Sequence, residues 1–224
     1  MSYQHRFVDG TPIDLPVGKV VCVGRNYAAH ARELGNAVPE APILFLKPSA
    51  AIVPLSPVFT IPADRGSCHH ETEIAVLICP TISNIDVANV PAAIAGYGLA
   101  LDLTLRDLQN QLKKQGYPWE VAKAFDGACP LSPFIPAQQF GDIADCEFSL
   151  LVNGEQRQHG FSRDMITPVY ELIAYISRIF TLQAGDVVLT GTPEGVAALA
   201  SGDRLTLAFN SAPVSGIAFV ATVS

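Results

Sequence analysis

Apolar residues along the chain fall into short runs broken by Gly, Pro and polar pairs, a pattern of many short strands and few helices. Residues 19–23 form an apolar strand that stops at Gly24, and 74–79 and 97–104 are two more. Residues 36–68 are proline-rich and predict loops with short strands. Asn153-Gly154 lies between the strands 148–152 and 155–158. A type I′ turn needs positive φ at both central positions, so this pair predicts a hairpin. Gly-containing turns then lead into strands over 187–190, 205–209 and 217–223. Two helices are expected. One spans 27–34 and ends at Gly35. The other starts near Thr167, a capping residue, with Pro168 at the first helical position. Val169, Leu172, Ile173, Ile176 and Phe180 follow at helical spacing. Strands outnumber helices and do not alternate with them, which predicts an α+β, β-rich fold and argues against a doubly wound one. No internal repeat or boundary interrupts the pattern. The expected organisation is an N-terminal arm, 1–18, on a single domain, 19–224.

Composition narrows the class. The chain has 224 residues, 49% of them hydrophobic and only 16% charged. About 25% charged is usual for a soluble domain, so disorder is excluded and a buried subunit interface is expected. No apolar run reaches the roughly 18 residues that span a bilayer. The nearest, 90–101, is broken by Pro91, Gly96 and Gly98. Lys plus Arg number 14 against 21 Asp plus Glu, a net charge of −7. With no basic run beyond Lys113-Lys114, nucleic acid is not an expected partner. The N-terminus has no signal-peptide pattern. Five cysteines without a CxxC pair read as free thiols in a reducing compartment, the cytoplasm.

An acidic cluster carries the first candidate chemistry. His69-His70-Glu71-Thr72-Glu73 runs directly into an apolar strand. Side chains alternate along a strand, so Glu71 and Glu73 share a face, with His69 beside them. Close carboxylates repel unless a positive charge sits between them. A hard divalent cation, Mg2+ or Mn2+, meets that need with oxygen ligands. Zn2+, with His69 nearby, is a weaker fit to an oxygen set. A solvated strand end would show the same sequence. Asp102 lies among Leu99, Leu101 and Leu103, on the face of the small Gly98 and Ala100. A buried acid must be paired or metal-bound, either to such a cation or to a donor such as Arg106.

The stretch from Gly24 to Gly35, GRNYAAHARELG, places His30 and Glu33 three residues apart. On a helix they are neighbours, and a carboxylate beside an imidazole raises its basicity enough to activate water. A surface helix pair has the same spacing. Gly24 lacks the rest of a dinucleotide-binding fingerprint. Lys123 sits among apolar residues and either carries a working charge or reaches solvent. LTGTPEGV, 189–196, ends a strand in a turn suited to anions or to simple connection.

Taken in order, GRNYAAHARELG, LFLKPSA, HHETE, LDLTLRDLQ, AKAFD, VNGEQRQ and GDVVLTGTPEGV resemble the fumarylacetoacetate hydrolase family. The likeness runs from about Lys19 to Phe209, and in size it is greatest to the acylpyruvate hydrolase and oxaloacetate decarboxylase branch. The resemblance implies a mixed β-sandwich roll and a homodimer. It implies Mg2+ or Mn2+ on Glu71, Glu73 and Asp102, one ion per subunit. It also implies that His30 and Glu33 activate water and that Lys123 stands near the substrate's oxo group. Arg106, Gln109 and Thr192 match positions that hold substrate, and Arg25 and Tyr27 fall in a matching motif. Ala124, Leu101, Leu105 and Ser132 depart from the family's usual residues without removing any of these groups.

The expected reaction is therefore metal-dependent cleavage of a C–C bond in an acylpyruvate, giving pyruvate and a carboxylic acid. The alternative is decarboxylation or keto–enol tautomerisation of oxaloacetate, which passes through the same enolate. A non-catalytic metal-binding protein would not need the His30, Glu33 and Lys123 set.

Overall fold

The computed structural model describes residues 3–224, so Met1 and Ser2 of the expected arm lie outside the described residues. Strands and helices are numbered in chain order. Seven strands form a continuous curled sheet. Their order is β2 (Ile43–Lys47), β1 (Val20–Gly24), β13 (Val187–Leu189), β6 (Thr72–Ile78), β7 (Ile94–Leu101), β9 (Cys129–Leu131) and β3 (Ile52–Pro54). An eighth, β10 (Ile135–Pro136), pairs with β7 off this path. A second sheet orders β12 (Glu155–Phe161), β11 (Glu147–Val152), β15 (Arg204–Phe209), β16 (Ala218–Val223) and β4 (Val58–Phe59). A small third sheet joins β14 (Ala197–Ala198), β5 (Cys68–His70) and β8 (Thr104–Leu105). The helices are short: α1 (Ala28–Glu33), α2 (Arg106–Gln115), α3 (Glu120–Lys123), α4 (Ala137–Phe140) and α5 (Val169–Ile179). The fold is α+β and β-rich, with mixed parallel and antiparallel pairing.

Every residue of β6 is buried, so this strand has no solvated face. A strand covered on both sides reads as a continuous apolar run, which is what 74–78 shows. The second sheet has one wet face: β15 and β16 alternate exposed or half-buried residues with buried ones. Asn153 and Gly154 both have positive φ, 54° and 84°, as the β11–β12 turn requires. The amphipathic α5 buries Leu172, Ile173 and Ile176. Phe180 falls just past its end in extended backbone, and Pro168 precedes its first residue without a side-chain cap. Pro168 rather than Thr167 occupies the cap position, and the Thr167 N–H donates to Asn26 Oδ1 at 2.8 Å. Residues 3–18 pack onto the core, with His5 and Ile13 buried.

One feature of the main sheet locates the site. Strands β1 and β13 are parallel, with Val20 opposite Val187 and Cys22 opposite Leu189. Their C-terminal ends deliver the loops 24–27 and 190–196 to the same edge. Strand β6 runs antiparallel to β13, and β7 antiparallel to β6, pairing Thr72 with Leu101. The start of β6 and the end of β7 thus meet at that edge too.

Candidate active site

Three carboxylates converge there. Glu71, Glu73 and Asp102 are all buried, and each offers an oxygen within 4.8 Å of the others. The β6–β7 register explains it: Asp102 follows Leu101 directly, and its N–H donates to the Glu71 carbonyl at 2.8 Å. Burial excludes the reading of 71–73 as a solvated strand end. His69 stands apart from the triad. It belongs to β5 in the small sheet, whereas Glu73 belongs to β6 in the large one, and the chain changes sheet at Glu71. The strand alternation assumed from 69 to 73 is broken at that crossing.

The triad fits a hard divalent cation by its own chemistry. Burial, then Asp102 and Glu71, push the Glu73 carboxyl well above its ordinary range. Asp102 Oδ1 is buried without an aligned hydrogen bond, although Lys47 Nζ lies 2.8 Å away. A cation bound by all three would relieve the repulsion and satisfy that oxygen. The donor set is all oxygen, which favours Mg2+ or Mn2+ over zinc.

Cationic side chains interleave with these acids. Lys123 Nζ donates to Glu71 Oε2 at 2.8 Å, Asp102 Oδ2 at 2.7 Å and Thr104 Oγ1 at 2.6 Å. Burial opposes its charge, but Asp102 and Glu71 outweigh burial and raise its pKa. Glu71 is pushed up by burial, yet Lys123 and Arg106 prevail and hold it well below the usual carboxylate range. Arg106 pairs with Glu71, donates to Gln109 Oε1 at 2.7 Å, and keeps a buried Nε with no partner among the described residues.

One cleft of about 420 Å3, open mouth included, gathers most of the residues singled out in the sequence. Arg25, His30 and Thr192 line it with the acid triad, as do Arg106, Gln109 and Lys123. Glu33 is not on its wall but stands behind His30. Its Oε2 lies 3.3 Å from His30 Nδ1, and its Oε1 accepts from Gly195 N–H at 3.0 Å. Tyr27 lies in the core at the start of α1, with a buried hydroxyl that has no partner among the described residues, and does not line the cleft.

The loops that carry these groups are tied together. Asn26 Nδ2 donates to the carbonyls of Thr190 (2.8 Å) and Thr167 (3.0 Å), linking the ends of β1 and β13. Gly191, at φ 97°, approaches so closely that a Cβ would lie 2.6 Å from the Asn26 Cβ. Its N–H donates to Glu73 Oε2 at 2.6 Å. Thr192 Oγ1 accepts from Gln158 Nε2 at 2.8 Å and donates to the Thr72 carbonyl at 2.9 Å.

Sequence reasoning missed four side chains. Lys47, fully buried, pairs with Asp102 and donates to the carbonyls of Lys123 and of Ala128, the latter at 3.0 Å. Its signal was a lysine closing an apolar strand before a proline, in LFLKPSA. Gln158 braces Thr192 from a strand in the other sheet, and its signal was its place at the end of VNGEQRQ. Lys113 and Trp119 line the cleft from the end of α2 and the start of α3, two helices the apolar periodicity did not reveal.

A curled mixed sheet that presents a buried carboxylate triad and an imidazole in one cleft, with a carboxylate behind the imidazole, has the make-up of a metal-dependent enzyme. Residues 19–221 match the family described as fumarylacetoacetate (FAA) hydrolase C-terminal, and the chain belongs to that family. It is 58% identical over 209 residues to oxaloacetate tautomerase YcgM of Escherichia coli (strain K12), covering 93% of this chain and 95% of that protein. It is 44% identical over 186 residues to the mitochondrial oxaloacetate tautomerase FAHD1 of Bos taurus, covering 83% and 84%. Among solved structures, fumarylpyruvate hydrolase from Pseudomonas aeruginosa, in complex with Mn2+ and pyruvate, superposes with a TM-score of 0.90. Identity there is 37%, over 99% of this chain and 95% of that one.

Proposed function

We propose that the protein is a divalent-metal-dependent oxaloacetate keto–enol tautomerase. The observation that carries this reading is the 58% identity to a tautomerase across nearly the whole of both chains. The site chemistry supports it. Glu71, Glu73 and Asp102 would hold one Mg2+ or Mn2+. When bound there, the cation supplies positive charge against the negative charge that develops on the substrate's 2-oxo oxygen.

His30 is the proton carrier. With Nδ1–H donated to Glu33, Nε2 keeps its lone pair and serves as base. It takes a proton from C3 of the keto form, the C–H electron pair becomes the C2=C3 bond, and O2 takes the negative charge. The same Nε2 then returns the proton to O2, giving the enol. Lys123 has all three N–H donors engaged, so it acts through charge and position. Gln109 accepts from Arg106 through Oε1, which leaves its amide hydrogens for a substrate oxygen, and the free Arg106 Nε is a second donor. Thr192 has its hydroxyl proton committed to Thr72, so it offers substrate a lone pair rather than a proton.

Acylpyruvate hydrolysis is the second reading. The likeness to a fumarylpyruvate hydrolase favours it, and His30 with Glu33 would then activate water. Purified protein with Mn2+ should convert enol-oxaloacetate to the keto form, followed by loss of enol absorbance, faster than it releases pyruvate from acetylpyruvate. The reverse order would replace tautomerisation with hydrolysis. We further propose that residues 19–224 act as one catalytic unit, in a homodimer, in the cytoplasm. The five free thiols and the apolar composition support that placement and assembly.

A further inference from the structure

We propose that Lys113, with Arg25, forms the receptor for the second carboxylate of a 2-oxo dicarboxylic acid, selecting dianionic over monoanionic substrates. This rests on the 2-oxo acid reading above and deepens it. The cleft wall carries four cationic side chains, Arg25, Arg106, Lys113 and Lys123, against three carboxylates, in a chain of net charge −7. Two of the four have protein partners. Lys123 is bound by Glu71 and Asp102, and Arg106 by Glu71 and Gln109. Among the described residues, Arg25 and Lys113 form no ion pair with any carboxylate.

Lys113 has a side-chain contact that positions it, and the turn that carries Arg25 is fixed. Lys113 sits in the last turn of α2, where the helix carbonyls favour a cation, and its Nζ lies 5.4 Å from the centroid of the Trp119 ring. Burial, then the neighbouring Arg25 and Arg106, push its ammonium below the usual lysine range. Arg25 adopts a left-handed backbone, φ 60°, uncommon for so bulky a residue. The adjacent Asn26 is fixed by its bonds to Thr167 and Thr190, which maintain that turn. Like charges gathered without a counter-charge are unfavourable, and an anion relieves them. The cleft lining therefore makes two opposite demands. The acid triad calls for a cation and the oxo-acid head it would attract. Lys113 and Arg25 call for the far carboxylate.

The test compares two ligands that differ by one carboxylate: 3,3-difluorooxaloacetate, which has no C3 hydrogen to lose, and 3,3-difluoropyruvate. Binding to the Mn2+-loaded full chain is measured by calorimetry. Lys113→Met should weaken difluorooxaloacetate about 10- to 100-fold and leave difluoropyruvate within about twofold. Lys113→Gln should do the same, and Lys113→Arg should recover most of the affinity. Lys114→Met, on an exposed neighbour in the same turn, should change neither. Unchanged difluorooxaloacetate affinity in Lys113→Met, or parallel loss of both ligands, overturns the proposal. Wild-type protein that discriminates the ligands but does not tautomerise oxaloacetate would overturn the catalytic reading and leave this one standing. Wild type that binds neither overturns both.

Discussion

Lys47 is the residue whose environment most constrains the site. Its ammonium is fully buried, faces Asp102 Oδ1, and donates to backbone carbonyls on the segments before and after α3. Removing one partner of a buried pair leaves the other uncompensated, at about 3–5 kcal/mol. Lys47→Met is expected to lower stability by that order, read from the denaturant midpoint at constant slope. Adding Asp102→Asn should recover part of the loss, because the stranded charge is then gone. If the double substitution is as unstable as the sum of the singles, Lys47 acts through its carbonyl bonds alone. The result would separate support of the loop from support of the acid.

At the scale of elements, α1 is a six-residue helix whose work depends on two contacts beyond itself. Glu33 reaches Gly195 N–H, and Tyr27, just before the helix, bridges to Met165. An isolated helix this short is not stable in water, so its position comes from those anchors. His30→Ala is expected to cut kcat for tautomerisation by about 100- to 10,000-fold with little change in KM, the range for a lost proton carrier. Glu33→Gln should cost less, since the imidazole stays in the cleft and loses only its orienting charge. Steady-state rates on enol-oxaloacetate check both. A KM change matching the kcat change would mean that α1 binds substrate rather than moving its proton.

Two predictions belong to the whole molecule. A cation that binds the folded triad and not the unfolded chain stabilises by mass action, about 2.7 kcal/mol at a hundred times its Kd. Mn2+ should therefore raise the thermal midpoint, a chelator should reverse it, and Glu73→Gln should abolish the rise. The second concerns acid. Burial lowers the pKa of His5 below its ordinary 6.5, while its bond to Gly185 works weakly the other way. The unfolded chain then binds the proton more readily than the folded one, so the stabilisation is complete above pH 6.5 and declines as pH falls below it. Unfolding midpoints at neutral and mildly acidic pH should differ for wild type, and less for His5→Gln.

Local pattern was enough for much of this protein. Apolar runs marked most strands, Asn153-Gly154 marked its hairpin, and Asp102 stood out because charge in an apolar strand is costly to bury. For Glu71, Glu73, His30, Glu33 and Lys123 the local spacing also allowed an ordinary structural role, and the ordered family resemblance singled them out. The short helices α2 and α3 escaped, because their residues are mostly polar and their placement comes from packing rather than periodicity. The meeting of the triad is a matter of register. Asp102 lies beside Glu71 because β6 pairs antiparallel with β7, and local sequence does not state which strands pair. The sequence also could not show that His69 is turned into a different sheet, or that Lys47 and Gln158 reach the site from distant strands. The sequence by itself determined which chemical groups this protein has to work with. The tertiary structure decided which of them share a cleft, because side-chain reach is a few ångströms and only strand pairing across the sheets brings such separated residues within it.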